Sequence, residues 1–574
     1  MTARILTALC FALAISPAVA QTGPSAGEMP PDQQAYTEAN KIADPEKKIA
    51  ALGKLKADFP DGVYASLADS QILSTLIQKM PEQKERIRKA AKAMFAASAA
   101  RDKAASRENM FATMASRGST AARIADQLAA ADLLLQDAES YARKGVEAMR
   151  ENVWIAERRE AYAKRKQEIP PPQDLARSFA EARAVRLATL GRVEMKLGHT
   201  AEAQKVLEES YAITPSNVTV TAALGEMAVR SGDDDKAMDY LVSAHLSGHA
   251  PGTANQTFEA LYKKSHNGTL DGLEAMLDKE YHKRFPNPVR VEAYKPTEKR
   301  SDRMVLAEVF TGSGCGPCAG ADVAFDAAME RYSRKDLAVV MYHVHVPRPD
   351  PMTTDATTAR YKTYGANGVP AYAIDGKKTI GGGSREAAPD VFEQFRKDLE
   401  KDLETPAEAK VKMDASLNGN TVKVSAAVDG VTGDSRNPDS QAFKLQILLV
   451  EKEIRYLGEN GIRFHPMVVR AIGGEKGEGY PIETGGNGTF EASFDLEAIG
   501  SDIKKQLDEY ESKGHRGEPF QFSAKKYQIN RGNLAVVVFV QDDKTRHVLQ
   551  AGYVDLGTAA GASPTTEANG SVQE

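Results

Sequence analysis

Cysteine is almost missing from this chain of 574 residues; it occurs at Cys10, Cys315 and Cys318 alone. Cys10 lies in the apolar leader, so the mature chain is expected to keep one pair. A large exported protein with a single pair is not stapled by disulfides. Two cysteines this close also close too short a loop to restrain much unfolded chain. Stability gives little reason for them, and chemistry gives a better one. An excess of one charge is missing too: 74 basic and 79 acidic residues leave a net charge of −5. The two signs are interspersed, which removes the electrostatic case for nucleic acid or an anionic membrane surface. Beyond the leader no stretch is apolar enough to cross a bilayer.

The leader has the parts of a secretory signal. Arg4 supplies the charged start, Ile5 to Ile15 an apolar run too short to span a membrane, and Ala18-Val19-Ala20 a small-x-small cleavage pattern. Residues 1–20 are therefore expected to be removed. Leu9 precedes Cys10, where a lipoprotein signal wants a small residue, so no lipid anchor is expected. The product should be exported and soluble, in a periplasm or outside the cell.

A hydrophobic content of 42% is ample for packed cores. The length suits about three or four domains at ~150 residues each. Residues 21–295 are rich in Ala, Leu, Lys, Glu and Arg with helical apolar spacing. The charged stretch Glu157–Lys166 has the character of a solvated helix face, and Pro170-Pro171-Pro172 marks a break after it. From there, clearest over 184–251, a repeat is visible. Leu190-Gly191, Gly198, Ala203 and Leu207 recur at an offset of 34 as Leu224-Gly225, Gly232, Ala237 and Leu241. One helix, Leu270–Arg284, is expected next, followed by a proline-punctuated linker. Residues 296–405 alternate strand and helix. Residues 406–557 carry seven alternating strands, at 410–416, 421–428, 443–450, 467–472, 489–495, 534–541 and 549–555, with a helical insertion at 503–512. That texture fits a β-sandwich. Residues 558–574, rich in small and polar side chains, are expected to be a disordered tail.

Cys315-Gly316-Pro317-Cys318 falls between the expected strand Met304–Phe310 and the expected helix Cys318–Tyr332. There the first sulfur meets the positive end of a helix, whose unpaired N–H groups favour thiolate. Pro317 costs nothing at an early helical position. The second sulfur, one turn in, is close enough to resolve a mixed disulfide. Farther on, Gly368-Val369-Pro370-Ala371 precedes another expected strand.

Cys-Gly-Pro-Cys at a strand–helix junction, about fifty residues of βαβ, and Val-Pro before a strand together resemble the thioredoxin superfamily, over roughly 300–403. The resemblance implies a thioredoxin-like α/β domain with Cys315 as nucleophile and Cys318 as resolving thiol. It also implies a cis Pro370 that turns the backbone of Val369 toward an extended substrate, beside Gly316 and Pro317. Two departures stand out. Typical thioredoxins have Trp where this chain has Gly314, and their buried Asp would fall near Val309. The neighbouring Glu308 is either an acid–base substitute or a residue of the opposite face. The 34-residue period resembles the tetratricopeptide repeat. The segment Glu451–Arg470 is weakly similar to an outer-membrane-associated family with thioredoxin-like relatives.

The expected architecture is α, then α/β, then β. The expected function is thiol–disulfide exchange on protein thiols or disulfides, with a redox partner, possible protein partners on the helical repeats and no cofactor; the direction of electron flow stays open. Two alternatives remain. One is an envelope scaffold with a structural or vestigial cysteine pair. The other is a copper-handling protein using the pair with His343 or His345, which lie two apart on an expected strand; those histidines are otherwise polar anchors at a strand end. Pro347-Arg348-Pro349-Asp350-Pro351 is either the rim of the active site or a plain crossover loop. N-terminal sequencing of the exported protein should begin at Gln21, and a product retaining Met1 would overturn the signal-peptide reading.

Overall fold

The structure, a computed structural model, describes residues 29–60, 62–105, 117–431, 442–482, 486–515 and 518–556. The expected signal sequence and tail lie outside them. Two compact units divide the chain between Pro215 and Ser216. No helix among the described residues is long and apolar enough to cross a membrane.

The first unit is helical: α1 (Pro31–Lys41), α2 (Pro45–Asp58), α3 (Val63–Lys79), α4 (Lys84–Ala105), α5 (Arg117–Ala130), α6 (Leu135–Glu147), α7 (Glu151–Lys164), α8 (Pro172–Leu197) and α9 (Thr200–Ile213). Its starts and stops follow local chemistry. Asp44 caps α2 by accepting the Lys47 N–H, ahead of Pro45 in the first turn. Pro172 opens α8, and Gly198 closes it in the left-handed region at φ 81°. Its core joins Leu73, Ile87, Ile124, Leu128, Leu190 and Val206. No residue of α7 is buried, as expected for its charged stretch.

The second unit opens with α10 (Val218–Ser231), α11 (Asp234–Leu246), α12 (Gly252–Ser265) and α13 (Leu273–Arg284). The sequence reading had one helix where α12 and α13 stand. Residues 34 apart make matching contacts. A Cβ on Gly191 would meet Leu207 Cγ at 2.5 Å, and one on Gly225 would meet Leu241 Cγ at 2.7 Å. In each pair the glycine lets two helices approach with a leucine between them. Gly232 repeats the left-handed closure of Gly198 at φ 78°.

An extended segment then leads to β1 (Val305–Thr311), α14 (Cys318–Arg331), β2 (Leu337–His343), α15 (Asp355–Thr363), β3 (Ala371–Ile374), β4 (Lys377–Ile380) and α16 (Ala388–Leu403). β1 pairs parallel with β2 and antiparallel with β3. The β3–β4 turn uses Asp375 and Gly376, both at positive φ, the geometry of a tight hairpin. After it come β5 (Lys410–Asn418), β6 (Thr421–Asp429), β7 (Phe443–Arg455), β8 (Phe464–Ile472), β9 (Tyr480–Ile482), β10 (Gly488–Asp495), α17 (Leu496–Lys513), β11 (Leu534–Asp542) and β12 (Val548–Asp555). The chain is thus helical at its start and mixed helix and sheet after it.

The late strands do not form a self-contained sandwich after residue 405. Four of them continue the sheet of the βα segment, in the order β12-β11-β7-β8-β2-β1-β3-β4, with β9 beside β7. The join is a parallel bridge of Met341 to Val468. β5, β6 and β10 form a separate three-stranded sheet. Its Val422, Val424, Ala426 and Val428 pack on Leu445, Ile447, Leu449, Val536 and Val538 of the large sheet. Two-layer packing is present, but one layer is shared. The reason lies in the residues: β7 and β11 are apolar on both faces, so each needs a partner on either side. The second face enters the main core with Leu448, Val450, Val537 and Phe539. The large sheet curls enough for the Val548 N–H to donate to the Asp375 carbonyl (3.2 Å).

Ala203 and Ala237 are fully buried at equivalent points of the two glycine-matched helix pairs. Replacing either with Leu should overpack its helix contact and cost ~1–3 kcal/mol in denaturant unfolding; unchanged stability would remove that contact from the account.

Candidate functional site

The site begins where β1 ends. Thr311 is followed by a tight loop in which the Cys315 N–H donates to the Gly312 carbonyl (2.9 Å). α14 starts at Cys318, with Pro317 at its N-cap. Cys315 and Cys318 are joined as a disulfide. Gly316 and Pro317 face solvent while the sulfurs do not: Cys315 is 1% exposed and Cys318 is fully buried. Cys315 Sγ lies 3.6 Å from the Val369 carbonyl oxygen. The Val369–Pro370 peptide is cis. The segment Gly381–Gly383 closes this side, since a Cβ on Gly382 would meet Pro370 Cγ at 2.2 Å and the Pro317 oxygen at 2.6 Å. Cys315, Gly316, Pro317, Cys318, Val369 and Pro370 are therefore brought together.

Gly314 has a local explanation. A Cβ there would meet Arg348 Cβ at 2.8 Å, so the space a larger residue would take is filled by that arginine. Arg348 in turn pairs with Glu459 (2.8 Å). The loop Pro347–Pro351 is thus packed on the cysteine loop.

Glu308 is not brought to the cysteines. Side chains alternate along β1, and Thr311 meets α14 whereas Glu308 points to α15. There it receives two hydrogen bonds from Arg360 (2.7 and 2.9 Å), one from the Tyr342 hydroxyl (2.9 Å) and one from the Tyr364 hydroxyl. Arg360 also donates to Gln541 of β11 (2.6 Å). Of the two options for Glu308, the structure has the opposite face.

The acid on the cysteine side is Asp322, one turn beyond Cys318. It is buried and accepts a hydrogen bond from Thr311 Oγ1 (3.0 Å). Burial pushes its carboxyl up to about 7, against the Thr311 hydrogen bond and the His343 ring. Such a group exchanges a proton near neutral pH. Its signal in the sequence was a lone charge inside Ala319–Phe325, an otherwise apolar stretch. Asp350 is the second residue the reading missed. It accepts the Ser313 N–H (2.6 Å) and pairs with His343 Nδ1 (2.9 Å). Its own N–H donates to His345 Nδ1 (3.0 Å). Both histidines thus hold this loop. Among the described residues, no group of three or more His, Cys, Asp or Glu donors at metal spacing includes Cys315, Cys318, His343 or His345. The one group at that spacing is Glu139, Glu194 and His199, where Arg143 already bridges both carboxylates.

Comparison with known proteins adds little to this geometry. No protein-family model matches the chain. No curated protein matches it either. Among solved structures, HBP35 of Porphyromonas gingivalis is similar over 48% of this chain and 81% of that one, at 17% identity and a TM-score of 0.31. A likeness of that size carries no argument.

The buried acid gives a pH signature. Its folded value is raised from 3.8 to about 7, so its contribution to stability is full below pH 3.8 and is lost as pH rises through about 7. Asp322→Asn should therefore match the parent near pH 4 and exceed it at pH 8. The gain should reach up to about 4 kcal/mol, since each tenfold change in proton affinity is worth about 1.4 kcal/mol. Urea unfolding at the two pH values measures this; a constant difference would refute it.

Proposed function

We propose that this chain is an exported thiol–disulfide oxidoreductase of the thioredoxin-like type, acting on protein disulfides or thiols. The observation that carries the reading is the Cys315–Cys318 bond at a strand–helix junction, with the Val369 carbonyl 3.6 Å from Cys315 Sγ. A strand end, an exposed Gly316-Pro317 surface and a carbonyl beside the first sulfur are what an extended substrate segment needs for docking. The matching contacts at offset 34 support tetratricopeptide-like units in α8–α11, which would offer a surface to protein partners.

In the reducing direction, the Cys315 thiolate attacks one sulfur of a substrate disulfide. The substrate S–S bond breaks, and its other sulfur leaves as a thiolate that takes up a proton. Cys318 then loses its proton and attacks Cys315 Sγ. The mixed disulfide breaks, the second substrate thiolate leaves, and two electrons have passed to the substrate. Asp322, next along the helix from Cys318, is the nearby buried acid able to take that proton. Run backward, the same steps oxidise a dithiol. A partner dithiol or disulfide must reset the pair after each turnover, and its potential sets the direction.

The burial of Cys315 favours a second reading, a scaffold whose disulfide is structural. The reduction potential separates the two: below about −300 mV for a structural bond, roughly −120 to −270 mV for a catalytic one. Capture tests the mechanism directly. Cys318→Ser should accumulate a covalent complex that reductant releases, because Cys315 can attack and nothing resolves the product. Cys315→Ser should accumulate none. A Cys318→Ser chain that captures no partner leaves the scaffold reading in place.

A further inference from the structure

The exchange reading uses the cysteines, Asp322 and Val369–Pro370, and leaves one side chain beside them unused. Ile380, the last residue of β4, is 72% exposed, while the next large apolar side chains among the described residues reach 49%. A single exposed apolar residue is ordinary on a protein surface. Its place in the register is what sets this one apart. β4 ends the large sheet, and an end strand is normally kept soluble by charge. Lys377 and Lys378 follow that rule and Ile380 does not. Ile380 pairs with Ala371, the residue after the cis Pro370. Gly381–Gly383 follows directly, and there the Gly383 N–H donates to the Pro317 carbonyl (2.8 Å). Ile380 is thus tied on one side to the strand that starts at the cis proline, and on the other to the turn between the cysteines.

We propose that Ile380 is a substrate-specificity residue of the cysteine site: the end of β4 receives an apolar side chain of an extended protein segment lying along Val369–Pro370, two or three residues from the segment's reacting cysteine. The inference rests on the exchange reading of Cys315 and Cys318.

Side chains alternate along β4. Lys378 Nζ donates to the carbonyls of Tyr364 (3.0 Å) and Gly365 (3.2 Å), so Lys378 and Ile380 share the face on which the segment leading to Val369 runs. Ala366 and Val369 of that segment are half-buried against the main core. The Val369 carbonyl is the group 3.6 Å from Cys315 Sγ. Antiparallel neighbours have Cα atoms about 5 Å apart, and two extended residues cover at most ~7 Å. Ile380 therefore stands roughly 9 Å from Val369, the reach of two or three residues of extended chain. A segment bound along Val369–Pro370 with its cysteine on Cys315 brings a side chain at that spacing onto Ile380. An apolar one removes apolar surface from water on both partners, and a polar one does not. A second copy of this chain is not the occupant, because one exposed isoleucine falls far short of the ~800 Å² per partner of a stable interface.

Two peptides test this, each with one cysteine held as a mixed disulfide with thionitrobenzoate. One has leucine at the second and third positions on both sides of the cysteine, and the other has serine there. In the reduced full chain Cys315 attacks the peptide sulfur, the S–S bond of the probe breaks, and thionitrobenzoate leaves as a coloured thiolate whose release gives the rate. The parent should react with the leucine peptide about fivefold faster, less than a closed apolar pocket would give because this surface is open. Ile380→Ser should lose that preference while keeping the parent's rate with dithionitrobenzoic acid, a disulfide too small to reach β4. Ile380→Val should keep most of the preference. Equal rates for the two peptides in the parent, a preference that survives Ile380→Ser, or a slowed reaction with the small disulfide overturns the proposal. Binding is read separately, by fluorescence anisotropy on the oxidised chain with the leucine peptide's cysteine replaced by serine. Ile380→Ser should weaken it by a similar factor, and an unchanged affinity also overturns the proposal. Binding that weakens as expected, with no exchange on either peptide, would sink the exchange reading and leave this surface standing. Exchange without a leucine preference would sink this proposal alone.

Discussion

The ion pair of Glu308 and Arg360 is the constraint on which the sheet unit depends. Both groups are buried, and taking two such charges out of water costs on the order of several kcal/mol each. The cost is offset only when every donor and acceptor is used. Here the partners come from far apart: Tyr342 on β2, Tyr364 after α15 and Gln541 on β11. The βα segment therefore cannot satisfy its own interior. It needs β11, and through β11 it needs the strands between.

Once that requirement is seen, the shared sheet follows. β2 would be an edge in a four-stranded βα sheet, but β8 covers it. Arg303 repeats the logic at the opposite end, donating to Asp375, the Val548 carbonyl and Glu408. The carboxylates on the two faces of β1 divide the labour. Glu308 is committed to holding the sheet together, while Thr311 and Asp322 stand on the side of the sulfurs. The cysteine loop is then held from two sides, by Asp350 and by Asn460 from the β7–β8 connection.

Local chemistry was legible in the sequence and long-range pairing was not. Cys-Gly-Pro-Cys and Val369-Pro370 each impose a backbone demand within a few residues, and both stand where that demand puts them. Strand positions were legible from their alternation or their apolar runs; the three-residue β9 is too short to give either. Which strands share a sheet is not written in periodicity: β7 and β11 differ from sandwich strands only in being apolar on both faces. Asp322 had a local signal that the reading passed over, as the lone charge of the stretch Ala319–Phe325. Asp350 was not, because its meaning comes from Ser313, 37 residues earlier. Glu308 was ambiguous for a related reason, since its partner Arg360 is 52 residues away.

Gln541 lies 181 residues after Arg360. A ribosome adding about 5–20 residues per second needs roughly ten to forty seconds to cover that stretch. Throughout that interval the residues of β1 and α15 have been made, while the last hydrogen-bond partner of their carboxylate and guanidinium has not. The interior around the ion pair is finished only when nearly the whole chain has been synthesised. Order of manufacture, and not only the final contacts, decides when the cysteine loop acquires its fixed surroundings.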